Sequence, residues 1–458
     1  MKNILLFSVL LISPFIGFGQ CPNTNIVLST QAEIDNFSVT YPNCTQLTQE
    51  LKINGDNSSI TNLNGLSAIT DGMKILIINT EIQNFSGLHN LSTTTNLGIW
   101  FNPNIQNLDG LTALQTIGRL EIWINNAILN LTGMDNIQSI GSLNLFENLM
   151  LEDISELSFI DTLETLVIGG NALNNLSGLE NLHTVQGDLS ISNEQLQNFD
   201  ELSNLQTIGG SLYLLNNGVQ NLSAFGSIQT LEDLYVVLCP NLSDLSGLEN
   251  IQTISGRLRI GFNPGLNDLT VFNSIHSVGN LDIYQNQNLQ MLKGIENLQE
   301  VSGRVLIADN PVLSDITAIG AMSPQISELV ISNNPSLSIC KNAFVCAVVD
   351  DPTVAKFINN NNAGCNSVEE VEMACLLSVS EEVLMNSIYI YPNPVSDVLT
   401  ISISDNIDFN QAGVFTILGQ KLFESSEKSI NISQLATGIY VVEVETGQGR
   451  ITKKIVKE

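Results

Sequence analysis

Positive charge and histidine are scarce in this chain, which has 16 Lys and Arg against 46 Asp and Glu, three His, and a formal net charge of −30. From Leu120 to Gly256 there is no Lys or Arg at all. Phosphate binding needs clustered cations to displace counterions, so a nucleic-acid partner is excluded. Simple solubility of a long exposed surface accounts for the acidity. The three histidines, His89, His183 and His276, lie far apart in sequence, so neither a metal cluster nor a Ser/His/Asp arrangement is supported. No glycine-rich nucleotide loop is present, and no cofactor or metal is expected. Acidic pairs such as Glu152-Asp153, Asp200-Glu201 and Glu232-Asp233 read as solvated loop charge, because adjacency alone does not set two carboxyls across a scissile bond.

Long apolar runs are also missing, apart from Ile4 to Phe18 at the N-terminus, behind Lys2. That run is too short for a retained spanning helix and reads as a secretory signal over residues 1–19, with no transmembrane segment in the mature chain. A lipoprotein reading of Cys21 is disfavoured by Gln20, where such signals want a small residue.

What the chain has in abundance is a repeat. A unit of about 23 residues recurs about thirteen times between Leu51 and Cys340. Each copy opens on an apolar-x-apolar strand, as at Leu97, Leu120, Leu143, Leu166, Leu258, Leu281, Val305 and Leu329, and an asparagine follows five residues later. Apolar residues then recur every third position, as in Leu173, Leu176, Leu179 and Leu182, which suits short 3₁₀-like or extended segments on the outer side of a coil. The reading is a mainly β solenoid with a parallel sheet. The asparagines are expected to turn inward and bond backbone groups of the turn as a structural ladder. Glycines such as Gly118, Gly141 and Gly279 are expected to supply the bend that returns the chain to the sheet. Where the asparagine is displaced, at Asn193 and Asn216, or replaced near Cys239, bulges are expected.

The cysteines bracket the repeat. Cys21 and Cys44 precede it, and Cys340, Cys346, Cys365 and Cys375 follow it. Solenoid ends expose uncovered core, so disulfide-pinned caps are expected, with pairs Cys21–Cys44, Cys340–Cys365 and Cys346–Cys375 and a free buried Cys239. Capping-box patterns at Thr30-Gln31-Ala32-Glu33 and Ser367-Val368-Glu369-Glu370 place helices in both caps. The expected organisation is a signal over 1–19, an N-terminal cap over 20–50, the solenoid over 51–339, a C-terminal cap over 340–376, a linker over 377–387 and a final β module over 388–458.

The segment Leu163 to Leu173 resembles the leucine-rich repeat, and copies such as Ile254 to Asn263 resemble the receptor L-domain, a right-handed coil with a parallel sheet on one face. Short alternating strands from Ile388 onward indicate a small Ig-like β-sandwich. This end resembles the type A C-terminal sorting domain of the type IX secretion system. The matching residues are Tyr391, Pro392, Asn393 and Pro394, Asp397, Leu418-Gly419-Gln420, Gly438 and Tyr440 within Leu435 to Tyr440, and Lys453 and Lys454 in the closing strand. That resemblance implies export through the periplasm and outer membrane of a Gram-negative bacterium by that machinery, then release or cell-surface attachment.

One constellation departs from the regular repeat. Three residues beyond the opening leucine, successive copies hold Trp100, Trp123 and Phe146, so both tryptophans of the chain fall in register. Strand alternation aims them outward, with Phe101 and Ile124 extending the patch and Tyr213, Tyr235, Phe262 and Tyr284 on later strands. They read either as an aromatic ladder stabilising the sheet or as a platform for an extracellular glycan or protein. The overall expectation is a non-catalytic binding or adhesion protein. The alternatives are a polysaccharide-active solenoid enzyme or a structural surface-layer spacer.

Overall fold

The computed structural model describes residues 21–404, 407–447 and 449–458, and only the backbone of 377–383. The signal sequence expected over 1–19 lies outside the described residues. A 17-stranded parallel sheet runs through the chain. Its register sets equivalent residues side by side: Leu51, Ile75, Leu97, Leu120, Leu143, Leu166, Leu189 and Leu212 form one continuous column, which goes on through Leu234, Leu258, Leu281, Val305 and Leu329. All of these are buried, as are the residues two positions on, such as Ile99, Ile122 and Leu145. Alternation therefore sends two columns inward and leaves the intervening columns facing out.

After each strand the chain turns away and packs its period-three leucines behind the sheet. Several of these segments close as short 3₁₀ turns, including Asn64–Leu66, Ser86–Leu88, Ser155–Leu157, Asp200–Leu202 and Ser223–Phe225. An Asn or Asp two residues earlier accepts the backbone N–H that opens many of them, as Asn84 does from Ser86 at 3.1 Å and Asp153 from Ser155 at 2.9 Å. Such side-chain turns fix where each outer segment begins.

The asparagine ladder is buried and continuous over long stretches. Asn125 Oδ1 accepts the Asn102 N–H at 2.9 Å, Asn148 accepts from Asn125 at 3.0 Å, and Asn171 from Asn148 at 3.1 Å. Each amide nitrogen donates backward, Asn125 Nδ2 reaching the Ile99 carbonyl at 2.8 Å. One side chain thus satisfies groups of two neighbouring coils, which burial would otherwise leave costly.

Several details differ from the sequence reading. The ladder member in the copy opened by Leu212 is Asn217, at the regular spacing, and Asn216 precedes it. Asn193 does sit one residue early, yet pairing around it and around Cys239 is regular, and the register shifts fall instead at Leu47/Glu50 and Ile254/Arg257. Gly118 and Gly141 lie inside strands without a left-handed backbone. They are needed because a Cβ there would fall 2.5 Å from the Thr95 carbonyl oxygen and 2.4 Å from that of Gly118. Close approach of successive coils, and no bend, excludes a side chain.

Both caps extend the sheet beyond residues 51–339. Ile26–Leu28 pairs with Leu51–Ile53 at one edge, and Ala355–Asn359 pairs with Glu328–Ser332 at the other. Disulfides join Cys21–Cys44, Cys340–Cys365 and Cys346–Cys375, and Cys239 is a buried thiol. The N-terminal helix Gln31–Asp35 carries a complete capping box from Thr30 and Glu33. The stretch 377–387, expected as a linker, is the second half of a helix spanning Val368–Ser387. It holds no Gly or Pro, and Leu, Glu and Met are strong helix formers.

The C-terminal module consists of a three-stranded sheet and a four-stranded sheet, both antiparallel. Leu399, Ile401, Val414, Val442, Val444 and Ile455 form its core. This matches the Ig-like sandwich expected there.

Candidate binding face

The outward face of the sheet is built from three residue columns. In the strand Thr116–Trp123, Glu121 and Trp123 stand on this face, between Gly98 and Trp100 on one side and Asn144 and Phe146 on the other. Trp100 and Trp123 stack with ring centroids 5.0 Å apart and planes 10° apart. Both are half-buried, and Phe146 is 39% exposed. The Trp100 indole leans across Gly98, where a Cβ would come within 3.1 Å of its Nε1, and Phe146 leans in the same way over Gly169. Neither indole N–H has a hydrogen-bond partner, and the Asn96 and Asn144 side-chain oxygens, elsewhere on these strands, are likewise buried and unpartnered. Glu121 is buried beneath the aromatic row, with Arg119 Nη1 at 3.8 Å.

Phe101 and Ile124 occupy the next column, which turns out of the sheet with left-handed backbone, φ 58° and 57°. Elsewhere this column holds Asn79, Glu147, Gly170, Asn216, Gln285, Asp309 and Asn333, of which the Asn, Asp and Gly tolerate that conformation best. A bulky or β-branched residue there is strained by about 1–2 kcal/mol. Phe101, Ile124, Leu238 and Phe262 accept that strain, and three of the four are more than 40% exposed: Phe101, Leu238 and Phe262. Strained positions therefore flank two aromatic groups. The second group consists of Tyr213 against Tyr235, 5.0 Å and 87°, and Phe262 against Tyr284, 5.4 Å and 87°.

A charged cluster on the same face went unread in the sequence. Asp282, fully buried, accepts from Arg259 at 2.8 Å and from Arg304 at 3.0 Å. Arg257 and Arg259 flank a column leucine, Leu258, and Asp282 directly follows the column residue Leu281, so register alone would have placed them together.

The remaining candidates stand apart from this face. His89, His183 and His276 are exposed on outer turns, each with Nδ1 against a nearby backbone carbonyl. Glu152-Asp153 and Asp200-Glu201 lie on outer turns as well. Among the described residues no group of three His, Cys, Asp or Glu is placed to hold a metal ion. A polar hollow of about 670 Å³ on the outer side is lined by Asn84, Asn104, Asn107 and Asp109, without aromatic residues.

In the C-terminal module the sorting-motif residues converge on one end. Asn393 Nδ2 donates to the Lys454 carbonyl at 3.1 Å, while Asn393 Oδ1 accepts the Val456 N–H at 2.8 Å. The peptide bonds before Pro392 and Pro394 are cis. Gly438 opens the strand Gly438–Thr446, Tyr440 donates its hydroxyl to the Ala436 carbonyl at 2.9 Å, and Lys453 Nζ donates to the Met385 carbonyl at 2.9 Å. Tyr391 is 52% exposed beside this turn.

Residues 389–458 match the family described as the secretion system C-terminal sorting domain. An internalin from Listeria monocytogenes superposes with a TM-score of 0.46 at 18% identity, covering 74% of this chain and 85% of that one. No curated protein sequence matches the chain. No helix among the described residues is long and apolar enough to cross a membrane. The chain is a leucine-rich-repeat-like solenoid that ends in a secretion system C-terminal sorting domain.

Proposed function

We propose that this is a non-catalytic binding or adhesion protein, exported by the type IX secretion machinery to the surface or surroundings of a Gram-negative bacterium. Its ligand is an extracellular glycan or protein held on the outward face of the sheet. The observation that carries this reading is the stacked, half-exposed Trp100–Trp123 pair, in register on a rigid parallel sheet and extended by Phe101, Ile124 and Phe146. Flat, partly exposed rings suit sugar rings or interface anchors, and a pre-ordered sheet spends little entropy on binding.

Binding of the secreted chain to a panel of glycans and extracellular proteins tests the reading, repeated with Trp100→Ala/Trp123→Ala. Loss of the captured ligand in the double variant is expected. Unchanged capture would overturn the platform. For export, deletion of residues 388–458 should leave the protein in the periplasm, and normal surface delivery would refute that assignment.

A further inference from the structure

Three of the five arginines in the chain meet on one patch of the outward face. Arg259 gives Asp282 Oδ2 a two-pronged contact, Nε at 3.1 Å and Nη2 at 2.8 Å, and Arg304 does the same to Oδ1 at 3.2 and 3.0 Å. Arg257 Nε lies 3.4 Å from Oδ2 in no hydrogen-bonding alignment and is buried without a partner, while its Nη1 donates to the Tyr235 hydroxyl at 3.4 Å and Nη2 is left unspent. The Arg259 guanidinium sits 4.9 Å from the Tyr235 ring centroid and 6.0 Å from that of Tyr284.

One carboxylate does not account for three guanidiniums. A buried Asp needs pairing, and Arg259 with Arg304 already occupies both of its oxygens. Two other acids lie near. Asp233 spends its oxygens on the Arg257 backbone N–H at 2.6 Å and the Tyr213 hydroxyl at 3.4 Å, and Glu328 reaches Arg304 only at 4.0 Å. Each arginine keeps about a third of its side chain exposed, at 32, 27 and 32%. A guanidinium carries five N–H donors in a planar fork, so unspent donors face solvent between tyrosine rings.

The patch lies on the same face as the tryptophan stack. From Trp123 the path crosses the strands of Phe146, Gly169, Ser192, Leu215 and Tyr235 to that of Arg257 and Arg259, six steps of about 4.8 Å, or roughly 29 Å. Gly169, Ser190 and Ser192 lower the middle of this path, with Val167 and Leu215 as its apolar neighbours. A track of rings, a flat floor and an arginine fork matches a linear chain of sugars better than a helical or globular partner. We propose that Arg257, Arg259 and Arg304 form an anion subsite for the carboxylate of a uronate-bearing glycan whose other rings lie on Trp100 and Trp123, an inference that rests on the aromatic-platform reading. The net charge of −30 repels a densely anionic polymer, so sparse uronates among neutral sugars fit best.

The test is calorimetric titration of the full secreted chain with a mixed neutral and uronate oligosaccharide, and with the same oligosaccharide after its carboxyl is reduced to an alcohol. The uronate form should bind about tenfold tighter, as charge-assisted hydrogen bonds allow. Arg257→Gln should abolish that preference while leaving Asp282 paired through Arg259 and Arg304; unfolding curves check that the variant folds, and Arg257→Lys gives a second variant that keeps the charge without the fork. Trp100→Ala should weaken both sugars alike. Equal affinity for the two sugars, lost in Trp100→Ala, would overturn the anion subsite and leave the platform standing. Failure of both sugars to bind would overturn platform and subsite together, and Arg257-dependent binding of an acidic peptide in their place would overturn the glycan assignment.

Discussion

Cys239 stands where the ladder elsewhere has asparagine, and it donates its backbone N–H to Asn263 Oδ1 at 3.0 Å. Its Sγ lies 3.7 Å from the Val237 carbonyl and 3.9 Å from that of Leu214, the positions equivalent to those Asn102 Nδ2 reaches at Trp100 and Ile77. A thiol is a weak donor but fits the same slot. Burial pushes it from 9.0 to about 11. Between those values the unfolded chain loses the proton and the folded chain keeps it, so stability is full below pH 9 and falls as pH rises toward 11. The loss should approach about 2–3 kcal/mol. Denaturant titrations of the protein and of Cys239→Asn across pH 8 to 11 isolate this effect, since the variant lacks the group. At pH 8 the native thiol should resist a thiol-reactive dye that labels it in denaturant.

Replacing a regular ladder residue is expected to do more damage. In Asn125→Ala the Asn102 N–H and the Ile99 carbonyl lose partners at 2.9 and 2.8 Å inside the core. Each stranded group costs about 1–3 kcal/mol. Because coils of a solenoid couple mainly to their neighbours, hydrogen exchange should accelerate around residues 93–146 first. Uniform protection along the chain would contradict that local picture.

How much of this was legible in the sequence follows the range of the interactions. Period, strand position and the inward column are one-dimensional signals, so the solenoid and its parallel sheet could be read directly, as could the sorting module from its ordered turn and strand motifs. The outward Trp100, Trp123 and Phe146 row was legible because equal spacing becomes register. The arginine cluster shows only once register is applied to the polar positions as well, which sets Arg259 beside Asp282 and puts Arg257 and Arg304 in the column next to them. The stretch 377–387 carries three Ser and an Asn, as a linker would, yet its Leu, Glu and Met favour the helix that forms there. The regular placing of Gly118 and Gly141 is visible in the sequence, but it suggests a bend, whereas the reason is close approach of the neighbouring coil, which no local pattern reveals.

The caps should govern the order of unfolding. Cys21 and Cys44 close a loop with a sequence separation of 23, over the edge strand Ile26–Leu28 and the first helix. Loop closure of that size stabilises by about 3 kcal/mol. Cys21→Ser/Cys44→Ser should therefore fray the N-terminal edge, seen as early exchange at Leu51 and Ile53, whose partners Ile26 and Leu28 are released. The sorting module, with its own core, should keep its transition unchanged.

The strained column sets stability against binding. Ile124 is β-branched at φ 57°, where Gly would rest without strain, and it directly follows Trp123 of the tryptophan stack. Ile124→Gly removes the left-handed strain, about 1–2 kcal/mol, and loses only a half-exposed side chain. The melting temperature should rise or hold, an unusual result for deletion of a large apolar residue in a sheet protein. Ligand capture should weaken in the same variant if Ile124 extends the platform. Asn125 beside it keeps the ladder in both forms, so a fall in stability would mean that the Ile124 contacts together with the chain entropy added by glycine outweigh its strain. The pairing of higher stability with weaker capture is the outcome that marks the residue as retained for the surface it offers.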